Sequence, residues 1–273
     1  MNGFPNAVDC HIHIYDPRFP AWPGREPVSN ASVADYRRVQ QRLGTSRVVV
    51  VQPAAYGTDN RATMDALAQL GPERSRGVGV VHTEVSESEL REMHEAGVRG
   101  LRFTQHDPRT AVTTAEMIEP LAKRIQVYGW HTQLHLRGDQ IAAMAQMIER
   151  LPGTVVIDHM ARLPQPEGIA HPAFAVVRHL LDTGRFWVKL SGPYLDARES
   201  APRYRRIAPI ARAYAAHAPE RCVWGSDWPH PTERDTKPDD AELLDLLQDW
   251  APDSSAREKI LVRNPALLYG FGS

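Results

Sequence analysis

Eight short runs of apolar, largely β-branched residues alternate with longer segments of helical period along nearly the whole chain, and no other feature narrows the fold as far. The runs fall at 7–14, 47–52, 76–81, 100–103, 131–136, 154–159, 186–190 and 222–226. Helical spacing fills the gaps at 33–43, 60–70, 87–96, 115–128, 139–150, 172–183 and 203–217. Two further helices are predicted after the last run, at 239–250 and 254–269. A strand that returns in the same direction needs a crossover, and a helix is the usual one. Eight such units in 273 residues predict a single (β/α)8 barrel of the TIM type with an extra C-terminal helix, near the roughly 250 residues typical of that fold. One domain spanning 1–273 is expected. An open doubly wound sheet is the alternative, weakened because no G-x-G-x-x-G turn or P-loop follows an early strand.

Local punctuation agrees with this division. Ser86 followed three residues later by Glu89 predicts a capping box, Thr114 and the 238–240 run mark helix starts, and Gly97, Gly129 and Gly184 close helices. Asp59 and Asn60 are expected to cap the second helix. The Pro-rich stretch 17–27 reads as a rim or lid segment.

Composition excludes several classes of function. A net charge of −1 argues against a general nucleic-acid binder, and no apolar run approaches the roughly 18–20 residues of a membrane helix. With six residues before the first strand, no secretory signal is expected. Cys10 and Cys222 sit within apolar strand-like runs and are read as reduced core thiols of a cytoplasmic protein. No heptad or interface stripe settles whether the chain forms a homo-oligomer.

In a barrel of this kind the active site gathers at the C-terminal ends of the strands, and polar residues collect there. The first strand ends in Asp9-Cys10-His11-Ile12-His13, where period-2 alternation turns both imidazoles to one face. Later strands end in Arg102, His135, Asp158-His159, and Lys189 with Ser191 beyond it; the last runs into Ser226-Asp227-Trp228-Pro229-His230. Burying so many polar groups without a function is costly. By contrast His82 and His171 are expected to be satisfied structural residues, and His94, His179 and His217 to lie on helices.

The motifs V-D-C-H-I-H at 8–13, V-I-D-H-M-A-R at 156–162 and W-G-S-D-W-P-H at 224–230 resemble the amidohydrolase superfamily. More narrowly, with V-Q-P-A-A-Y-G-T-D-N at 51–60, G-V-R-G-L-R-F at 97–103 and R-N-P-A-L-L-Y-G-F at 263–271, they resemble the group of 2-pyrone-4,6-dicarboxylate hydrolase and sugar-acid lactonases. The resemblance implies a barrel-mouth site that hydrolyses a small-molecule lactone. Asp227 is then the base for water, and His11, His13 and His159 polarise the carbonyl, directly or through a metal. A single ion such as zinc would be held by His11, His13 and Asp227, although the resemblance implies that none is required. Arg102 matches an arginine that holds a substrate carboxylate. Tyr56, His135, Lys189, Tyr194, Trp228 and His230 complete the expected substrate contacts.

The sequence departs from the pyrone dicarboxylate pattern in its grip on substrate. The segment 104–109 lacks a close lysine and arginine pair, His135 replaces a tyrosine, and no arginine follows Tyr194 directly, although Arg198 lies four residues on. A lactone with one carboxylate, or a sugar lactone, fits better. A lactone isomerase is the main competing expectation, because Y-x-P-x-x-P-A-x-P-G at 15–24 and A-A-H-A-P-E-R at 215–221 are similar to that branch. A metal-dependent decarboxylase and a non-catalytic binding barrel are weaker alternatives.

Overall fold

A computed structural model describes residues 4–29, 31–107, 111–197, 204–233 and 236–272. The strands are β1 (Val8–Ile12), β2 (Arg47–Val51), β3 (Ser75–Gly79), β4 (Val98–Thr104), β5 (His131–His135), β6 (Val155–Ile157), β7 (Phe186–Leu190) and β8 (Cys222–Trp224). They pair in parallel, each with the next, in the order β1 to β8. Every run predicted as a strand overlaps one, with β3 beginning a residue before its run and β4 extending past its run at both ends. The helices are α1 (Val33–Leu43), α2 (Arg61–Leu70), α3 (Glu87–Glu95), α4 (Ile118–Arg124), α5 (Gly138–Ala143), α6 (Ala145–Arg150), α7 (Pro172–Asp182) and α8 (Ala208–His217). After β8 come α9 (Asp240–Trp250), α10 (Ser254–Glu258) and α11 (Asn264–Tyr269).

Period-2 alternation sorts the strand residues into two layers. Outward side chains such as Val48, Val50, Leu101, Leu134 and Val188 join the helices in one large apolar core. Inward ones split by depth. Val8, Cys10, Val49, Val78, Val156, Trp187 and Val223 pack at the lower end against Tyr269 and Phe271. One level higher the inward positions become Arg102 of β4, Gln133 of β5, Asp158 at the end of β6 and Lys189 of β7. The barrel is therefore apolar below and charged above.

Closure between β1 and β8 uses few bonds, and they lie at the mouth. Asp227 N–H donates to His11 O at 2.8 Å and His13 N–H to Trp228 O at 2.7 Å. A register shift between Asp9 and Ile12 lets His11 face inward directly after Cys10, while plain alternation turns the Asp9 carboxylate out of the barrel interior. It accepts from Ser226 N–H (2.9 Å), Ser226 Oγ–H (2.7 Å) and the Tyr36 hydroxyl of α1 (3.2 Å), joining the first and last strands. Burial pushes its carboxyl up to about 6, against the lowering effect of those donors.

Several predicted helices are divided. The segment 139–150 breaks at Met144, 254–269 passes through a π-helical turn at Lys259–Arg263, and 115–128 begins and ends in 3-10 turns. The π turn has an identifiable use: it brings Asn264 over β8, where its amide donates to Pro219 O and Cys222 O, each at 2.7 Å. Helix α8 begins at Ala208, and Arg203 lies outside the described residues. Asn60 makes no side-chain cap; its amide exchanges two bonds with Val80, at 2.8 and 3.0 Å, and ties α2 to the end of β3. The capping box at Ser86 and Glu89 forms as predicted. The 17–27 segment lies on the rim, with Trp22 N–H donating to Ala55 O. Among the described residues no helix is long and apolar enough to cross a membrane, and both cysteines are free and buried.

Gly225 is where the seam is tightest. A Cβ there would stand 2.6 Å from His11 Cβ and 2.8 Å from its backbone nitrogen, with no flexible side-chain end to give way. Gly225→Ala is expected to lower the unfolding free energy by about 1–3 kcal/mol, the usual cost of overpacking. Urea denaturation of the two proteins measures it.

Candidate active site

Asp158, at the end of β6, is the centre of the buried polar layer. Its Oδ2 accepts from Arg102 Nε at 2.9 Å and from the Gln133 amide at 3.0 Å. Its Oδ1 lies 3.6 Å from both Lys189 Nζ and His11 Nδ1. Burial alone would push this carboxyl up, but Lys189 and Arg102, helped by His11, outweigh it and hold it well below the carboxylate range. One anion thus balances two cations out of reach of water.

Above it lies a row of imidazoles. His11 and His13 meet edge to face at 5.0 Å between centroids, and His11 and His159 lie tilted at 4.8 Å. His135 continues the row, 4.8 Å from His159, and stacks on His106 at 4.2 Å. Their hydrogen bonds constrain the protons. His13 Nδ1 faces the carbonyl of Val51 at 2.8 Å and so carries hydrogen. Arg102 Nη2 donates to His135 Nδ1 at 3.1 Å and to His159 Nε2 at 3.3 Å, while His159 Nδ1 meets Ser191 Oγ at 2.9 Å. Burial brings His159 down to about 4 and holds His11 and His135 well below the usual imidazole value.

Asp227 closes the site from β8. Its backbone is left-handed (φ 65°), a conformation a non-glycine residue holds only where its surroundings enforce it; here the bond to His11 O does so. Oδ1 lies 3.5 Å from His11 Nε2 and 3.6 Å from His13 Nε2, and Oδ2 accepts from the Tyr194 hydroxyl at 2.6 Å. Burial opposes ionisation, but His159, His13 and His11 together keep this carboxyl well below its ordinary value. It is the one carboxylate among the described residues lining a cavity of about 230 Å³, which also exposes His13, Arg102, His106, His135, His159 and Arg162.

The residues expected from the sequence come together unevenly. Asp227, His13, His159, His135 and Arg102 line the cavity; His11 lies beneath it, wholly buried. Tyr194 also sits behind Asp227, and His230 behind Tyr194: its Nδ1 is 3.0 Å from the Tyr194 hydroxyl and its Nε2 3.1 Å from Asp240. Lys189, expected at the substrate, lies a layer lower with no exposed surface, because the inward face of a strand end is shared by the site and the layer under it. Tyr56 and Trp228 do not line this cavity; Tyr56 is bonded to the backbone of Asp16 and Trp228 packs on Tyr36. Pro108, Arg109 and Arg198 lie outside the described residues. Sequence reasoning assigns no role to Asp158, Arg162 or His106. The first two stand within the 156–162 motif, which is their available signal.

His11, His159 and Asp227 bring one ligand atom each within 4.8 Å of one another, as do His135, Asp158 and His159. The first group suits a single divalent ion with an open position, by donor type and count, and His11 Nε2 has no hydrogen-bond partner. His159 takes the place of His13 in the set expected from the sequence, while His13 Nε2 lies 3.6 Å from Asp227 Oδ1 beside the group.

A parallel eight-stranded barrel with its polar side chains gathered at the C-terminal strand ends has the architecture of a TIM-barrel enzyme. The amidohydrolase family model matches residues 8–271, and the chain belongs to that family. It is 35% identical to a 2-pyrone-4,6-dicarboxylate hydrolase of Comamonas testosteroni, over 96% of this chain and 90% of that protein. It is 34% identical to a D-galactarolactone isomerase of Agrobacterium fabrum (97% and 92% covered) and 33% to a 4-sulfomuconolactone hydrolase of Rhizobium radiobacter (97% and 90%). An apo crystal structure of an Agrobacterium tumefaciens protein superposes with a TM-score of 0.90 at 32% identity, covering 98% of this chain and 95% of that one.

Two measurements test the buried layer. Asp158→Ala strands Arg102 and Lys189 without their anion and is expected to cost about 3–5 kcal/mol of stability, the range for a broken buried pair, read by urea denaturation. Acid should act through the imidazoles. Their folded values lie below the unfolded value of about 6.5, so the unfolded chain takes up protons first as pH falls. Stability should be flat above that pH and decline toward about 4, where His159 itself protonates. A thermal midpoint constant from pH 7 to 4.5 would contradict the assignment.

Proposed function

We propose that the protein hydrolyses a lactone carrying a carboxylate, or a sugar-acid lactone. The observation that carries this reading is Asp227, the one cavity-lining carboxylate among the described residues, kept ionised by imidazoles and sharing the cavity lining with Arg25, Arg102 and Arg162. Asp227 Oδ1 takes a proton from water as the water oxygen bonds to the lactone carbonyl carbon. The tetrahedral intermediate collapses, the ring C–O bond breaks, and Asp227 returns the proton to the departing oxygen. The new carboxylic acid then ionises and releases one proton to solvent.

Arg102 and Arg162 bracket His135, at 3.1 and 3.3 Å from its two ring nitrogens. A neutral imidazole accepts at only one nitrogen, so one of these donors is poorly matched. A substrate carboxylate arriving here takes the guanidinium hydrogens and relieves that mismatch. His159 Nε2 is then released from Arg102. The Ser191 hydroxyl can donate to Nδ1 as readily as accept, leaving Nε2–H free for the carbonyl oxygen. His13, with its Nδ1 hydrogen on Val51, orients the water through Nε2. Tyr194, held by His230 and Asp240, fixes Oδ2 of Asp227.

A divalent ion held by His11, His159 and Asp227 would supply Lewis-acid polarisation of the carbonyl. We propose that the reaction does not require it, since His159 Nε2–H, once released by Arg102, supplies a donor for the carbonyl oxygen. Two free buried thiols support a cytoplasmic setting.

The same relatives support one further reading, isomerisation of a lactone, because one of them is named for it. Proton release separates the two. Metal-stripped protein should acidify a weakly buffered indicator solution with at least one compound in a panel of sugar-acid lactones, muconolactones and pyrone carboxylates. Asp227→Asn should lower that rate by roughly 10²–10⁴-fold, the contribution of a positioned base. Conversion of a lactone without acid release, seen by NMR, would favour the isomerase.

A further inference from the structure

Lys189 is the buried cation for which the proposed reaction finds no direct use. Its ammonium donates to Gln133 Oε1 at 2.8 Å and lies 3.4 Å from His11 Nδ1. An ammonium only donates, so a ring nitrogen that pairs with it must be bare. Asp158 Oδ1 stands 3.6 Å from the same Nδ1 and has no hydrogen bond of its own. A carboxylate only accepts, so it demands the opposite arrangement, with hydrogen on Nδ1. His11 thus sits between two neighbours that require different tautomers, and Lys189 is the nearer. The other end of the ring is compatible with Lys189: Nε2 makes no hydrogen bond and lies 3.5 Å from Asp227 Oδ1, where an N–H is a better neighbour for a carboxylate than a lone pair.

We propose that Lys189 fixes His11 as the Nε2–H tautomer and thereby closes the His11, His159 and Asp227 group to a divalent cation. Ligation needs the Nε2 lone pair, and a metal-bound histidine ordinarily gives its other N–H to a carboxylate or carbonyl. Asp158 is already placed to be that carboxylate. The barrel therefore holds the parts of a metal site with its second partner in position, and one ammonium keeps the imidazole turned to the other tautomer. Lys189 is a positioning residue that acts through His11: it keeps an N–H on Asp227 in place of a lone pair for a metal. The tautomer assignment stands apart from the reaction; only its value to catalysis rests on the lactonase reading.

The test uses zinc affinity, measured on metal-stripped full-length protein by competition with a chromophoric chelator. Lys189→Met is expected to bind zinc roughly 10–100-fold more tightly than the wild type, the range over which outer partners of a ligand tune affinity. Adding His159→Ala should abolish the gain. Unchanged affinity in a folded Lys189→Met protein would overturn the proposal. If that variant does not fold by circular dichroism, the wild type decides. Imidazole ¹⁵N NMR, with His11 assigned by the signal lost in His11→Gln, should show hydrogen on Nε2 and a bare Nδ1. Hydrogen on Nδ1 would overturn it. Neither readout uses a lactone, so failure of the substrate panel would leave this assignment intact.

Discussion

The mouth of this barrel depends on one buried carboxylate holding two buried cations. Arg102 and Lys189 come from strands on either side of β6, and each has Asp158 as its anionic neighbour. Charges removed from water are tolerated only when paired and hydrogen-bonded, so the three side chains fix one another. Everything above them inherits that order. Arg102 reaches over to His135 and His159, and Lys189 stands beneath His11. Three of the site's imidazoles, His11, His135 and His159, are therefore oriented by a buried charged layer of which only Arg102 reaches the cavity. This separation of a rigid charged floor from a polar rim is how a barrel holds reactive groups in one geometry.

Backbone strain is placed where the chemistry is. After β6 the four residues His159, Met160, Ala161 and Arg162 all have positive φ, between 46° and 67°. A left-handed turn of non-glycine residues costs roughly 1–2 kcal/mol per residue. It persists because His159 is anchored to Ser191 and Arg162 to Asp196. The result is that residues three apart both line the cavity, as a strand continuing straight would not allow. Asp227 and His230 repeat the device after β8, with φ of 65° and 58°. The barrel is also closed there, by backbone bonds from Asp227 and His13, so the seam and the proposed base are held by the same few groups.

Much of this is legible in the order of the residues. Eight strands follow from the period-2 runs, because burial on both faces leaves a strong apolar signal. His11, His13, Arg102, His159 and Asp227 stand out as polar residues where such runs end. Depth is not legible. Periodicity tells which face of a strand a residue occupies but not whether substrate lies beside it or a layer above, so Lys189 has the sequence signature of a substrate contact while lying beneath the site. Arg162 and His106 have no periodic signal, since left-handed and irregular backbone brings them to the cavity. The divided helices at Met144 and Lys259–Arg263 are invisible for a related reason: tertiary packing selects the break, and side-chain spacing reads through it.

The inventory of protons at the mouth limits what chemistry is available. His13 Nδ1–H is committed to Val51, and the guanidinium of Arg102 occupies His159 Nε2 before substrate arrives. In that state neither His13 nor His159 has a ring N–H free for substrate, and the strongest donors in the cavity are its arginines. An uncharged lactone therefore finds neither of these imidazoles free to donate to its carbonyl. A lactone bearing an anion first draws Arg102 away from His159, and only then does that imidazole become a donor beside the scissile bond. Recognition of the carboxylate and stabilisation of the oxyanion are in this way one event. The same coupling would serve isomerisation as well as hydrolysis up to the attacking nucleophile. What distinguishes them is whether the oxygen that reaches the carbonyl comes from water held by Asp227 and His13 or from a hydroxyl of the substrate itself.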